Sequence, residues 1–209
     1  RGRVPRGGER RLGRRPPVTV RPTSTAGRLA RLGFADPARA ERFLTDRALA
    51  GLVDPLEDVF DDGLVGALGR VPDPDLALLG LVRLLEALPR AGRLRAALRA
   101  GGRVRDTLLA VLGTSAALAE HLARHPSHWT AVDEGRPDDP DGVRAALLAA
   151  VGADPGAPEP VAGLPVPQAL DALRIGYRRL LLGIAGRDLV ADDPAAAEPG
   201  TSRDLADLA

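Results

Sequence analysis

Residues 73–89, DPDLALLGLVRLLEALP, constrain the fold more than any other stretch of the chain. Asp73-Pro74 is a helix start. An aspartate at the cap accepts free N–H groups, and proline, with its fixed φ and missing donor, suits the first helical position. Leu78, Leu81, Val82, Leu85 and Leu88 then recur at helical spacing, with Leu76, Leu79 and Leu84 widening the stripe. A helix that is apolar around most of its circumference has to be covered on several sides. Each buried leucine contributes roughly 1.5–3 kcal/mol, so this segment predicts a core helix around which other elements collect.

The remaining chain can supply those elements. Its 209 residues are 44% hydrophobic but only 2% aromatic, and the apolar content is mostly Leu, Ala and Val. That mixture favours helices over sheets. The expected fold is all-α, an irregular helical array or bundle with a disordered Arg-rich N-terminal tail. Cys, Met, Lys and Asn are absent and every basic side chain but histidine is Arg, a bias that fits a GC-rich genome. Without cysteine there is neither a disulfide framework nor a thiolate metal site. No apolar run is long enough to span a bilayer, and the basic start is not followed by the apolar segment of a signal peptide. The expected location is the cytosol, with no membrane partner. The lack of any Met, position 1 included, is expected of a partial sequence or a miscalled start.

Residues 1–22 carry eight Arg against one Glu, with repeated Gly and Pro, and read as a disordered basic tail. It is passive or miscalled sequence (Val18 marking a non-AUG start), a solubilising tail, or a binding arm. Nucleic-acid binding is disfavoured, because the segment has no aromatics to stack bases and nothing downstream resembles a reader module. Residues 23–132 are expected to form a helical array. In it, Leu29 and Leu32 share one side of a short first helix. Asp36-Pro37 opens a second, with Phe43 and Leu44 inward, and Leu56, Val59, Phe60, Leu64 and Leu68 are helix-spaced. Arg90 to Ala100 and Arg103 to Leu112 extend the array across Gly101-Gly102. A hairpin follows in LLAVLGTSAALAEHLARHPSHW: one helix ends at Gly113, Thr114 or Ser115 caps the next, and Pro126 stops it.

Residues 133–165 read as a Pro/Gly-rich linker with a short helix over Val143 to Val151. Residues 166–190 hold a helix beginning at Gln168, whose Leu170, Leu173, Tyr177, Leu180 or Leu181, and Ile184 form the inward stripe. Gly176, Gly183 and Gly186 cost that helix roughly 2–3 kcal/mol of propensity. Five buried side chains would outweigh this at roughly 8–15 kcal/mol, so the helix should exist only when docked. Residues 191–209 read as a loop, ADDPAAAEPGTS, and the start of a next helix at Ser202.

Four blocks, RLARLGFADPARAERFL, DPDLALLGLVRLLEAL, RDTLLAVLGTSAALAEHLARHPSHW, and ALRIGYRRLLLGIAGRDL followed by DLADLA, resemble the amino-terminal region of the bifunctional glutamine synthetase adenylyltransferase/adenylyl-removing enzymes of actinobacterial type. The resemblance implies an enzyme with two nucleotidyltransferase domains. The first removes AMP from a tyrosine of glutamine synthetase by phosphorolysis, releasing ADP, and the second attaches AMP from ATP. It implies Mg and ATP (also phosphate/ADP) as cofactors and reactants of the full-length enzyme, and glutamine synthetase and the PII signalling protein as partners. Each catalytic core of the family carries a Gly-Gly turn followed by Asp-x-Asp, the turn binding phosphate and the carboxylates holding metal. Here Gly7-Gly8 and Gly101-Gly102 follow no strand, and Asp73-Pro74-Asp75 is explained by capping. The expectation is therefore the helical leader of the adenylyl-removing half, truncated before its active site and inactive alone, with no residue carried over as catalytic, cofactor-binding or metal-ligating. The alternatives are a non-catalytic helical interaction or scaffold protein and, less favoured, a basic-tailed nucleic-acid binder.

Three other features stand out. His121 and His125 are spaced as a helical metal pair is, with Glu120 and Asp133 as further donors; the plainer reading puts both on the solvent side, mildly favoured as cations near the helix end. His128, beyond Pro126, need not face them. Trp129 is expected to fold back as an apolar anchor over the hairpin, or to serve as a partner hot spot. Arg178, Arg179, Arg187 and Asp188 read as solvated charge in local ion pairs, with a docking or nucleotide-approach role for Arg187 as the sharper alternative.

Overall fold

A computed structural model describes residues 24–53, 63–135, 137 and 139–208. The basic segment 1–22 and the positions Leu56, Val59 and Phe60 lie outside the described residues. Among those described, the chain is all-α and no strand forms, a single isolated bridge joining Ala50 and Val53.

The first helices are α1 (Thr25–Arg31), α2 (Pro37–Leu44) and α3 (Leu64–Leu68). Asp36 caps α2 by accepting from the Arg39 amide at 2.9 Å, with Pro37 in the first turn. Leu29 is buried, and Leu32, Phe43 and Leu44 pack half-buried against the core. Helix α4 (Pro74–Ala87) begins on the Asp73 cap, whose Oδ1 accepts from the Leu76 amide at 2.9 Å. Its Leu78, Leu81, Val82, Leu84 and Leu85 are all buried. The helix is covered by α2, α3 and the 3₁₀ turn Arg47–Leu49, and by α6 (Arg103–Thr114) and α7 (Ala116–Arg124). This is the many-sided burial its leucine pattern demands. Helix α5 (Gly92–Ala100) leads into α6 through Gly101 and Gly102, both at positive φ.

The α6–α7 junction differs from expectation in one respect. Gly113 does not end α6; it lies inside that helix, buried. A Cβ there would sit 2.7 Å from Val71 Cγ2 and 3.1 Å from the Asp73 carbonyl oxygen, so glycine is required for close approach rather than for a turn. Ser115 makes the break: it closes α6 and its Oγ accepts from the Leu118 amide to start α7. After Arg124, Pro126 opens a 3₁₀ turn to Thr130, followed by α8 (Ala131–Glu134). Trp129, 4% exposed, is folded into the main core as an anchor.

Helix α9 (Pro140–Ala150) starts on an Asp139 cap. Helix α10 (Val166–Leu189) lies against α6, α8 and α9, and α6 packs on both α4 and α10. The approach of α10 to α6 is set by Gly186, where a Cβ would come within 2.8 Å of Thr107 Cγ2. Helix α11 (Pro194–Leu208) starts well before Ser202, because Asp193 caps it through the Ala195 and Ala196 amides. The Pro- and Gly-containing stretch expected as loop is thus largely helical. Val143, Leu180, Ile184 and Leu208 form a second, smaller core joining α9, α10 and α11.

The inward stripe expected on α10 is only half inward. Leu180 and Ile184 are buried, but Leu170, Leu173 and Tyr177 are 49%, 40% and 39% exposed. Only the carboxyl-terminal half of that face is covered by other described elements.

Candidate functional site

Among the described residues, the candidates are the places where polar chemistry is concentrated. Asp73 and Asp75 spell Asp-x-Asp but serve different segments. Asp73 caps α4, whereas Asp75 Oδ2 accepts from the Ala35 amide at 2.6 Å, tying the α1–α2 connection to α4. Capping therefore explains only the first of the pair. Neither sits in a group of three or more His, Cys, Asp or Glu placed to hold a metal ion among the described residues.

The three histidines do come together. Ring centroids lie 4.9 Å apart for His121 and His125, 5.2 Å for His121 and His128, and 5.5 Å for His125 and His128. The expectation of a solvent-facing, cationic His121 is overturned, since the residue is 2% exposed. It occupies the same helical face as Leu118 and Leu122, which turn into the core. The 3₁₀ turn after Pro126 brings His128 back, so that His121 Nε2 and His128 Nδ1 are 3.0 Å apart. Burial, then the charges of His128, His125 and Arg178, lower the His121 pKa from 6.5 to about 4. His128 is lowered too, by burial and then by Arg179 and His125. With His121 neutral and Nε2 shared with His128, its buried Nδ1 has no hydrogen-bond partner. The cluster therefore centres on a buried, neutral His121 with His125 and His128 half-buried beside it.

Arg174 and Asp171 pair within α10 at 3.0 Å, but Arg179, Arg187 and Asp188 are tied to other helices rather than to local partners. Arg179 pairs with Glu134 at 2.8 Å, Arg187 pairs with Asp204, and Asp188 accepts from the Thr201 hydroxyl at 2.9 Å. The cleft beside Arg187 holds about 180 Å³, below the roughly 300–1,000 Å³ of ordinary ligand sites. A second cleft, of about 310 Å³, lies where His128 and Arg179 meet Ala150 and Gly176. Its polar lining is limited to His128 and Arg179, and the guanidinium is already engaged by Glu134.

Among the described residues, no helix is long and apolar enough to cross a membrane. No family model matches the chain, and no solved structure matches it. Curated proteins do. The sequence is 43% identical over 192 residues to the bifunctional glutamine synthetase adenylyltransferase/adenylyl-removing enzyme of Streptomyces avermitilis, covering 90% of this chain and 17% of that protein. It is 43% identical over 193 residues to the enzyme of that name from Streptomyces coelicolor, again at 90% and 17%. Against the one from Mycobacterium avium it is 38% identical over 203 residues, covering 92% of the chain and 18% of the relative. The chain thus spans about one sixth of the length of these relatives. Across about nine-tenths of its own length, it is homologous to one segment of the bifunctional glutamine synthetase adenylyltransferase/adenylyl-removing enzymes.

Proposed function

We propose that this chain is the helical leader of the adenylyl-removing half of such an enzyme, lying ahead of the active site and holding shape without reactivity of its own. The observation that carries the reading is the identity to these enzymes over 90% of the chain, combined with a described fold that is helical throughout. Phosphoryl and nucleotidyl transfer depend on positioned metal and phosphate groups. Asp73 and Asp75 are instead engaged by backbone amides of separate segments, so this Asp-x-Asp pair does not fit a magnesium–nucleotide site. Under this reading glutamine synthetase is the substrate of the longer enzyme, PII its signalling partner, and ATP, Mg, phosphate and ADP its cofactor and reactants, all acting in the cytoplasm. Residues 23–132 form the array, 133–165 connect it, and 166–190 lead toward the catalytic core.

Reading the gene past the codon for Ala209 tests the proposal. The expected continuation encodes a strand–turn–helix with Gly-Gly, followed by Asp-x-Asp. A stop codon there would overturn it in favour of a free-standing helical interaction protein. That second reading draws its support from the exposed Leu170, Leu173 and Tyr177, which would then face a separate partner.

A further inference from the structure

We infer that the uncovered amino-terminal half of the α10 stripe is the seat of the polypeptide that follows residue 209 in the longer enzyme. This rests on the reading of the chain as a leader segment. The stripe is continuous: Val166, Leu170, Leu173, Tyr177, Leu181 and Ile184 recur at three- and four-residue intervals along one face. Its far end is buried by α11, while Val166, Leu170, Leu173 and Tyr177 are exposed. The ring of Tyr177 and both leucines thus form an apolar strip beginning where α11 stops.

The register between the two helices specifies the occupant. Thr201 bonds Asp188, Asp204 pairs with Arg187, and Leu208 packs with Ile184 and Leu180. As α11 advances, its partners on α10 recede, so the helices run antiparallel. Leu208 therefore delivers the chain within one turn of Tyr177. At 1.5 Å per residue, roughly 15 further residues of helix in the same direction would pass Tyr177, Leu173, Leu170 and Val166 in turn. A segment with apolar side chains at three- and four-residue spacing would close the strip. The relatives supply the necessary length, since this chain matches only 17% of them. A second copy of the chain would have to reach the strip from outside, with no such connection to place it.

Tyr177 is the only tyrosine in the chain, which makes it the reporter. Nitration by tetranitromethane, followed by peptide mass spectrometry, is run on the 209-residue chain and on the longer gene product. The expected result is ready nitration of Tyr177 in the short chain and at least about tenfold slower nitration in the longer one, as for a group reached only through local opening. A continuation that contains Gly-Gly and Asp-x-Asp but leaves Tyr177 equally reactive would overturn the inference while sparing the leader reading. A reading frame that stops at Ala209 would overturn both. Protection of Tyr177 in the short chain that rises with concentration, alongside a dimer mass by light scattering, would make a second copy the occupant and overturn the inference.

Discussion

His121 Nε2 lies 3.0 Å from His128 Nδ1, joining the buried face of α7 to the turn that follows it. Burial, and then the charges of His128, His125 and Arg178, oppose a proton on His121.

Acid should therefore weaken this protein through His121. The folded pKa of His121 is depressed to about 4 from 6.5, so its contribution is fully present above pH 6.5 and is lost as pH falls toward 4. A shift of that size corresponds to roughly 3 kcal/mol. Urea midpoints measured across this range should fall steeply for the parent chain and much less for His121→Leu, which keeps the bulk and removes the proton site. Parallel curves would show that His121 does not carry the acid sensitivity.

Two glycines and a third should respond oppositely to alanine. Gly113→Ala and Gly186→Ala place a Cβ within 2.7 Å of Val71 Cγ2 and 2.8 Å of Thr107 Cγ2. Both should destabilise by roughly 1–3 kcal/mol despite the better helix propensity. At Gly200, in α11, nothing lies within 4 Å of the added Cβ, and Gly200→Ala should stabilise by up to about 1 kcal/mol. Thermal melts of the three variants check the signs.

Asp73 and Asp75 should behave as structural residues. Asp73→Ala removes the α4 cap and should cost about 1 kcal/mol, whereas Asp73→Asn, still a good cap, should cost only a few tenths. Asp75→Ala frees the Ala35 amide and should loosen α1 and α2, read as faster amide exchange there. Neither substitution should alter magnesium binding by the 209-residue chain, measured by titration calorimetry.

Trp129→Ala should be among the most damaging single changes, at roughly 3–5 kcal/mol, because the ring is buried in the main core. Arg93, whose guanidinium lies 5.5 Å from the ring centroid, should matter far less; Arg93→Ala is expected within about 1 kcal/mol of the parent. Denaturant midpoints distinguish the two.

What could be read from the sequence follows from which signals are local. Asp-Pro marks helix starts at Asp36 and Asp73 by pairing a side-chain acceptor with a fixed φ, and the same signal recurs at Asp139 and Asp193, where α9 and α11 begin. At Asp193 the signal competes with Pro199 and Gly200, which argue for loop, yet both fall within a helix already started by the cap. Gly113 misled for a related reason. Glycine after an apolar run suggests a helix end, but here it answers a side chain forty-two positions earlier in the chain, a constraint no window of sequence contains. For His121 the helical spacing and the residue type point opposite ways: its position beside Leu118 and Leu122 favours the buried face, its polarity favours solvent, and the packing follows the spacing. The α10 stripe is legible as a periodic pattern, but periodicity alone does not say which part of a stripe its neighbours cover, and Leu170, Leu173 and Tyr177 stay exposed.

The most direct test of the central claim mixes the 209-residue chain with adenylylated glutamine synthetase, phosphate and magnesium, and follows ADP release. A folded helical chain that releases no ADP is the predicted result. Release of ADP by this polypeptide alone would contradict the account.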